Sequence, residues 1–101
     1  MDVYKKIHIG DVLSVTTEIN LSPTGITGIF DFVYFMTGKK FYAHQVQDCR
    51  AAADKCIPSI FEQHPQLKEI DASTVNKKNY KKWLDEQIAK YGEYFEIKPL
   101  M

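Results

Sequence analysis

The chain has 101 residues, of which 45% are hydrophobic and 26% are charged, proportions typical of a globular protein rather than a disordered or fibrous one. Its 13 basic side chains balance 13 acidic ones, which argues against a protein dedicated to binding a polyanion. The longest apolar run is too short to cross a bilayer, and the N-terminal residues lack the apolar segment of a secretory signal. We therefore expect residues 1–101 to form a single compact domain that does not contact a membrane.

Apolar residues prone to β structure recur in the first nine positions, which predicts an N-terminal strand. These residues are Val3, Tyr4, Ile7 and Ile9. Asp11 is a suitable N-cap for a short helix after the strand. The β-branched run Val15–Thr17 would also suit a strand, so the two interpretations are nearly balanced, and we favour the helix.

A strongly apolar helix is predicted over Thr27–Thr37, after a turn cluster at Asn20–Gly25. The hydroxyl of Thr24 or Thr27 would cap its N-terminus, and Gly38 would end it in a left-handed conformation. Apolar residues lie on nearly every side of this helix, so it is either buried or has one face that meets a partner. We expect it to be the centre of the fold.

The next segment predicts a short connector or edge strand over Lys39–Ala43 and then a helix over Gln45–Ile57, where apolar residues recur at three- and four-residue steps. Pro58 lacks the amide that a helix needs, so we expect a kink or a fresh turn there. His64–Pro65 ends the helical segment, because a residue before proline disfavours the helical conformation.

A connector anchored by Leu67 and Ile70 leads to the last helix, which Asn76 or Ser73 would cap and Gly92 would stop. Its apolar stripe consists of Tyr80, Trp83, Leu84, Ile88 and Tyr91. The final residues alternate as a half-buried strand does, and we expect them to pair with the N-terminal strand. The predicted fold class is therefore α+β: a small, mostly helical single domain with three to four helices, a short terminal strand pair, and the last helix packed across the central one.

His44 is a weak candidate for a catalytic residue, because it stands between an aromatic segment and a helix, where acids and bases are often presented. No partner serine, cysteine or carboxylate is specified by spacing, so a capping role at the helix start is favoured. The gaps between His44, Cys49, Cys56 and His64 do not match zinc-site spacing, and we predict no metal and no other cofactor. We predict that both cysteines are small, buried hydrophobic residues and that the protein is in a reducing, cytoplasmic setting.

A basic cluster at the start of the last helix offers an alternative, nucleic-acid-binding function. It consists of Lys77, Lys78, Lys81 and Lys82. Tyr80 and Trp83 are interleaved with these lysines and could stack on bases, but both belong to the apolar stripe. Asp85 and Glu86 follow Lys81 and Lys82 at ion-pairing distance along a helix, so a solvated face is the favoured interpretation.

Four segments closely resemble a family of small proteins of unknown function that bacteriophages, prophages and other mobile elements encode. They are GDVLSVTTEINLS, GIFDFVYFMTGKKFYAHQ, PSIFEQHPQL and YGEYFEIKPL. The most specific parts are Met36–Gln45 and Glu62–Leu67, whereas Glu18 and Ile19–Ser22 depart from the family pattern. The resemblance implies an intracellular setting in a bacterial host and no particular activity. It singles out His44 and Gln45, with Thr16 and Thr17.

The function we expect is that of a non-enzymatic accessory protein of a mobile element that binds another protein, or a second copy of itself as a homodimer. More aromatic side chains are present than a core of this size needs to hide, and aromatic residues dominate interfaces. The candidates for exposure are Phe30, Tyr34, Tyr42, Tyr80 and Tyr94. The predicted binding residues are Tyr34, Tyr42, His44 and Gln45. Nucleic-acid binding through the lysines and a small enzyme centred on His44 are the alternatives.

Overall fold

The fold is α+β, as predicted, in a computed structural model that describes residues 4–22 and 25–100. The main elements are β1 (Lys5–His8), α1 (Ile9–Thr17), α2 (Ile26–Thr37), α3 (Val46–Gln63), α4 (Tyr80–Tyr91) and β2 (Tyr94–Ile97). Two short 3₁₀ helices, at Ala43–Gln45 and Pro65–Glu69, stand before and after α3. Val3 and Thr24, which the sequence placed in the first strand and at a helix cap, lie outside the described residues.

The two strands pair antiparallel, which confirms the expected association of the N- and C-terminal segments. Ile7 lies opposite Phe95, and both side chains are buried on the inner face of the sheet. Tyr94 and Glu96 point to the other, exposed face, as their alternation with Phe95 and Ile97 predicted.

The core is built mainly by α1 and by the helices that pack on it, α2 and α3. The buried apolar residues of α1 are Ile9, Val12, Leu13 and Val15. Helix α2 contributes Phe32, Val33 and Met36 and packs on both α1 and α3. The expectation that α4 packs across α2 is wrong: α4 lies at the periphery, with its apolar stripe only half buried, because α1 and α3 already cover the inner face of α2.

The boundaries of α2 and α4 were closely predicted, but three of the N-caps were not. His8 caps α1 in place of Asp11, since its Nδ1 accepts a hydrogen bond from the Gly10 amide at 2.9 Å. Gly25, not Thr27, is the N-cap of α2, and its φ of 71° explains why a glycine stands there. Gly38 ends α2 in the left-handed conformation, as expected.

Two predicted features of α3 and α4 are also corrected. Helix α3 runs through Pro58 without a break and ends before His64. Pro58 lies on the exposed side of α3, so the carbonyl that loses its amide partner remains accessible to water. The N-cap of α4 is Asn79, while Asn76 stabilises the preceding turn by accepting hydrogen bonds from the amides of Lys78 and Asn79.

Candidate functional site

One face of α2 is directed away from the core and carries large apolar side chains at four-residue intervals. These are Ile26, Phe30 and Tyr34, and they form one ridge along the helix because residues four apart share a face. Ile26 is 41% exposed and Tyr34 is 50% exposed, whereas Phe30 is half buried. Helix α2 is therefore not buried on every side, because one of its faces is partly exposed.

The exposed ridge continues onto α3 and onto the connector between the two helices. A small cavity of about 90 Å³ lies between α2 and α3, where Ile26 and Phe30 approach Val46, which is itself 46% exposed. Phe30 also lines a second depression of about 320 Å³ together with Tyr34 and Lys40. Tyr42, two residues beyond Lys40, is 56% exposed. We refer to Ile26, Phe30, Tyr34, Tyr42 and Val46 as the aromatic surface.

The connector holds Tyr42 and His44 in a fixed turn that Gln45 closes. The Tyr42 amide donates to Gln45 Oε1 at 3.1 Å, and the Gln45 amide donates to the Tyr42 carbonyl at 2.8 Å. Phe41 is buried and anchors the turn to the core. The rings of Tyr42 and His44 are nearly parallel, with an angle of 6° and centroids 6.3 Å apart. Of the predicted binding residues, Gln45 thus has a structural role, while the two rings face solvent.

Within the described part of the chain, His44 has no side-chain partner of the kind that a catalytic histidine uses. It is exposed, and no hydrogen bond or ion pair joins it to a carboxylate or to either cysteine there. Cys49 and Cys56 are buried, and burial raises the pKa of both thiols, that of Cys56 to about 11, with the nearby Cys49 as a secondary cause. Among residues 4–22 and 25–100 no group of histidine, cysteine and carboxylate side chains is arranged to hold a metal ion.

Thr16 and Thr17 lie at the C-terminal end of α1. Arg50, which the sequence did not single out, binds backbone carbonyls at the same end of this helix. Thr17 Oγ1 donates to the Leu13 carbonyl at 2.6 Å. Arg50 reaches across from α3, and its guanidinium donates to the Val15 carbonyl at 2.7 Å and to the Ser14 carbonyl at 3.3 Å. The same guanidinium also pairs with Asp54 one turn along α3, and this four-residue spacing was the one signal in the sequence.

The family-like run Glu62–Leu67 has a structural function at the opposite end of α3. The Gln63 side chain bonds both backbone groups of Lys98: its Nε2 donates to the carbonyl at 3.1 Å and its Oε1 accepts from the amide at 2.9 Å. His64 Nε2 donates to the Glu96 carbonyl at 2.8 Å, and its ring lies edge-on to that of Phe95. These two side chains hold the C-terminal strand in place.

The lysine cluster lies at the start of α4, far along the chain from the aromatic surface. Lys77, Lys78, Lys81 and Lys82 are all exposed. Within the described ranges, none of the four forms an ion pair, so the expected pairing with Asp85 and Glu86 is not formed. Tyr80 and Trp83 are half buried against the core, so their rings are not free stacking platforms.

Comparison with known families matches residues 7–70 to a domain of unknown function, DUF7736. The chain belongs to the DUF7736 family. The DUF7736 region takes in α1, α2, α3 and the connector, and therefore the whole aromatic surface with His44 and Gln45. Helix α4, with its lysines, and strand β2 lie beyond it.

The chain matches no curated protein and no solved structure. In the part of the chain that the structure describes, every helix is too short or too polar to cross a lipid bilayer. Membership of an uncharacterised family, which the resemblance implied, is thus confirmed, and the family description states no activity.

Proposed function

We propose that this DUF7736 protein is a non-enzymatic accessory protein that acts by binding another protein through its aromatic surface. The observation that carries the proposal is the exposure of Ile26, Tyr34, Tyr42 and Val46 around the half-buried Phe30. Large aromatic and aliphatic side chains on a rigid helix contribute strongly to protein interfaces, because little conformational entropy is lost when they are covered. A soluble monomer gains nothing from exposing such a set of side chains together.

The setting in which we propose that the protein acts is the cytoplasm of a bacterial host that carries a phage or another mobile element. This part of the proposal rests on the resemblance of the sequence segments to proteins of such elements. The partner is either a host or phage protein or a second copy of this chain. Since the connector holds the exposed rings of Tyr42 and His44 in a fixed turn, we expect the interface to include both rings.

Affinity purification of the tagged protein from a bacterial host lysate, with and without nuclease, tests the proposal. We expect a stoichiometric partner that nuclease does not remove. The Tyr34→Ala and Tyr42→Ala variants should each recover much less of it, by roughly tenfold if the residue is an interface hot spot, while their circular dichroism stays unchanged. Tyr94→Ala is the matched control, because Tyr94 is equally exposed but lies on the sheet.

Equal recovery of the partner by wild type, Tyr34→Ala and Tyr42→Ala would contradict the proposed surface. Light scattering of the purified protein over a range of concentrations shows whether the partner is a second copy. Loss of the fold in both tyrosine variants would mean that these side chains are part of the core, and would remove the support that their exposure gives.

Nucleic-acid binding is the second candidate function, and the four exposed lysines without ion pairs favour it. Binding of this kind weakens steeply with added salt, because condensed counterions are released from the phosphates. A Lys81→Glu, Lys82→Glu double variant should then lose binding to single-stranded DNA at low salt. No shift of labelled DNA by the wild type at low salt would exclude this function.

A further inference from the structure

The two outer edges of the sheet differ in whether their backbone hydrogen-bonding groups are occupied, and those at the edge of β2 are occupied by side chains. Backbone groups of Glu96 and Lys98 that point away from β1 are bonded by the side chains of His64 and Gln63. An unpaired strand edge is a template for another strand, and side chains that occupy its hydrogen-bonding groups remove that template. No further strand can therefore be added on the β2 side without displacing these side chains.

The pairing pattern shows which groups of β1 point outward. In an antiparallel pair the residues bond alternately toward and away from the neighbouring strand. The Ile9 amide donates to the Glu93 carbonyl at 2.8 Å, so Ile9 bonds toward the C-terminal segment. Ile7 and Lys5, two and four residues before Ile9, therefore also bond toward β2, where they lie opposite Phe95 and Ile97. The backbone of Lys6 and the amide of His8 are consequently directed away from β2.

These outward groups of β1 are open to a partner. Within residues 4–22 and 25–100, no hydrogen bond joins the amide or carbonyl of Lys6 or the amide of His8 to another group. The Lys6 side chain is exposed, and among the described residues β1 packs mainly on β2 and on α1, which follows it in the chain. A peptide strand along this edge would form main-chain hydrogen bonds with these amide and carbonyl groups, in place of their hydrogen bonds to solvent.

The charges at the edge indicate the chemistry of the strand that fits. Lys6 forms no ion pair in the described residues, and Lys5 carries its ammonium group over the Phe35 ring at 5.7 Å from the centroid, on the inner face. Opposite charges directly across a strand pair are favourable and like charges are unfavourable. In an antiparallel pair with a second copy, the register that sets Lys6 opposite Lys6 would bring like charges together, which is unfavourable.

We propose that the outer edge of β1 binds an extended acidic peptide segment of a partner protein by adding it as a third strand. Acidic side chains of this segment lie beside Lys6 on the exposed face, and an apolar side chain lies beside Ile7 on the inner face, where β1 is buried. The site shares no residue with the aromatic surface. Tyr34→Ala and Tyr42→Ala are therefore expected to leave it unchanged, so the two proposals can fail independently.

A fluorescently labelled eight-residue peptide of alternating Glu and Val is a suitable probe, with a Lys–Val peptide of the same length as its counterpart. We expect the wild-type chain to bind the Glu–Val peptide more tightly in fluorescence anisotropy. Lys6→Glu should weaken that binding by roughly fivefold or more and improve binding of the Lys–Val peptide. Lys90→Glu, an equal change of charge on α4, is the control and should have little effect.

Amide hydrogen exchange locates the bound peptide. Addition of the Glu–Val peptide should slow exchange of the Lys6 and His8 amides, whereas the Ile7 amide, which is directed toward β2, should change little. Three results would overturn the proposal. They are no binding of the Glu–Val peptide at millimolar concentration, slowed exchange only at other positions, and protection of the Lys6 amide by increasing protein concentration alone, which would identify a second copy as the occupant.

Discussion

Arg50 connects α3 to the C-terminal end of α1, where backbone carbonyls have no partner within the helix. Its planar guanidinium donates to the Ser14 and Val15 carbonyls and pairs with Asp54 at the same time. A lysine could not reproduce this geometry, because its ammonium group lacks the rigid fork of donors. The residue thus orients the two helices that build most of the core.

Replacement of Arg50 by Ala should lower the free energy of unfolding by about 1–3 kcal/mol, since two carbonyls lose charge-assisted hydrogen bonds. Asp54→Ala is the matched control: it removes only the exposed partner one turn away, and we expect a loss below about 0.5 kcal/mol. Urea unfolding followed by circular dichroism measures both. Similar losses for the two variants would show that the contact with α1 contributes nothing.

The two buried cysteines make stability depend on pH in the alkaline range. The folded-state pKa of Cys56 is about 11, above its ordinary value of 9.0, because the buried thiol resists ionisation. A raised folded-state pKa gives a contribution that is fully present below pH 9 and is lost as the pH rises toward 11. Cys49 acts in the same direction, since burial raises its pKa too.

We therefore expect the unfolding free energy to fall between pH 9 and 11, with Cys56 contributing a slope of at most about 1.4 kcal/mol per pH unit. Cys56→Ala should show a shallower fall over the same interval when both proteins are unfolded in urea. At pH 8 the native thiols should react slowly with a disulfide reagent and quickly in denaturant. Equal slopes for wild type and variant would refute the assignment to Cys56.

At the scale of elements, hydrophobic periodicity predicted the helices well, because each one buries a single face. The same logic could not find the N-caps of α1 and α2. His8 caps through a ring nitrogen whose position depends on strand pairing, and Gly25 caps through its backbone conformation. Pro58 misled the prediction for a different reason: its exposed position in α3 makes the lost hydrogen bond tolerable.

The candidate site was predictable only in part. The surplus of aromatic residues indicated that some, such as Tyr34 and Tyr42, would be exposed, and both are at the surface in the structure. The roles of Arg50, Gln63 and His64 depend on contacts between residues 32 to 36 positions apart. Such contacts leave no periodic pattern, so nothing in the spacing of these residues revealed them.

Gln63 fixes the end of β2, and its removal should loosen that strand selectively. Gln63→Ala eliminates both hydrogen bonds to the Lys98 backbone, and we expect a loss of about 1 kcal/mol in unfolding free energy. The Lys98 amide should exchange its hydrogen faster by roughly the corresponding factor of five. Gln66→Ala, at an exposed position three residues along the chain, is the control and should change neither quantity. Unchanged exchange of the Lys98 amide in Gln63→Ala would show that the Gln63 hydrogen bonds do not hold the end of β2.

At the scale of the whole molecule, the DUF7736 match and the folded core do not have the same limits. The match ends at residue 70, yet Phe95 and Ile97 of β2 are buried in the core that α1, α2 and α3 form. Ile7, at the start of the match, has Phe95 as its neighbour on the inner face of the sheet. The C-terminal strand is therefore part of the core and not an appendage to it.

A fragment of residues 1–70 should accordingly fail to fold cooperatively, because it leaves the apolar face under β2 uncovered. In the full chain, Ile97→Ala should cost about 2–5 kcal/mol, a large share of the 5–15 kcal/mol by which domains of this size are stable. Glu96→Ala is the matched control: the side chain is exposed and the backbone carbonyl that His64 binds remains, so the change should stay within about 0.5 kcal/mol. Urea unfolding of the two variants and of the fragment provides the comparison. A 1–70 fragment that unfolds with the same midpoint as the full chain would show that the matched region carries the whole core by itself.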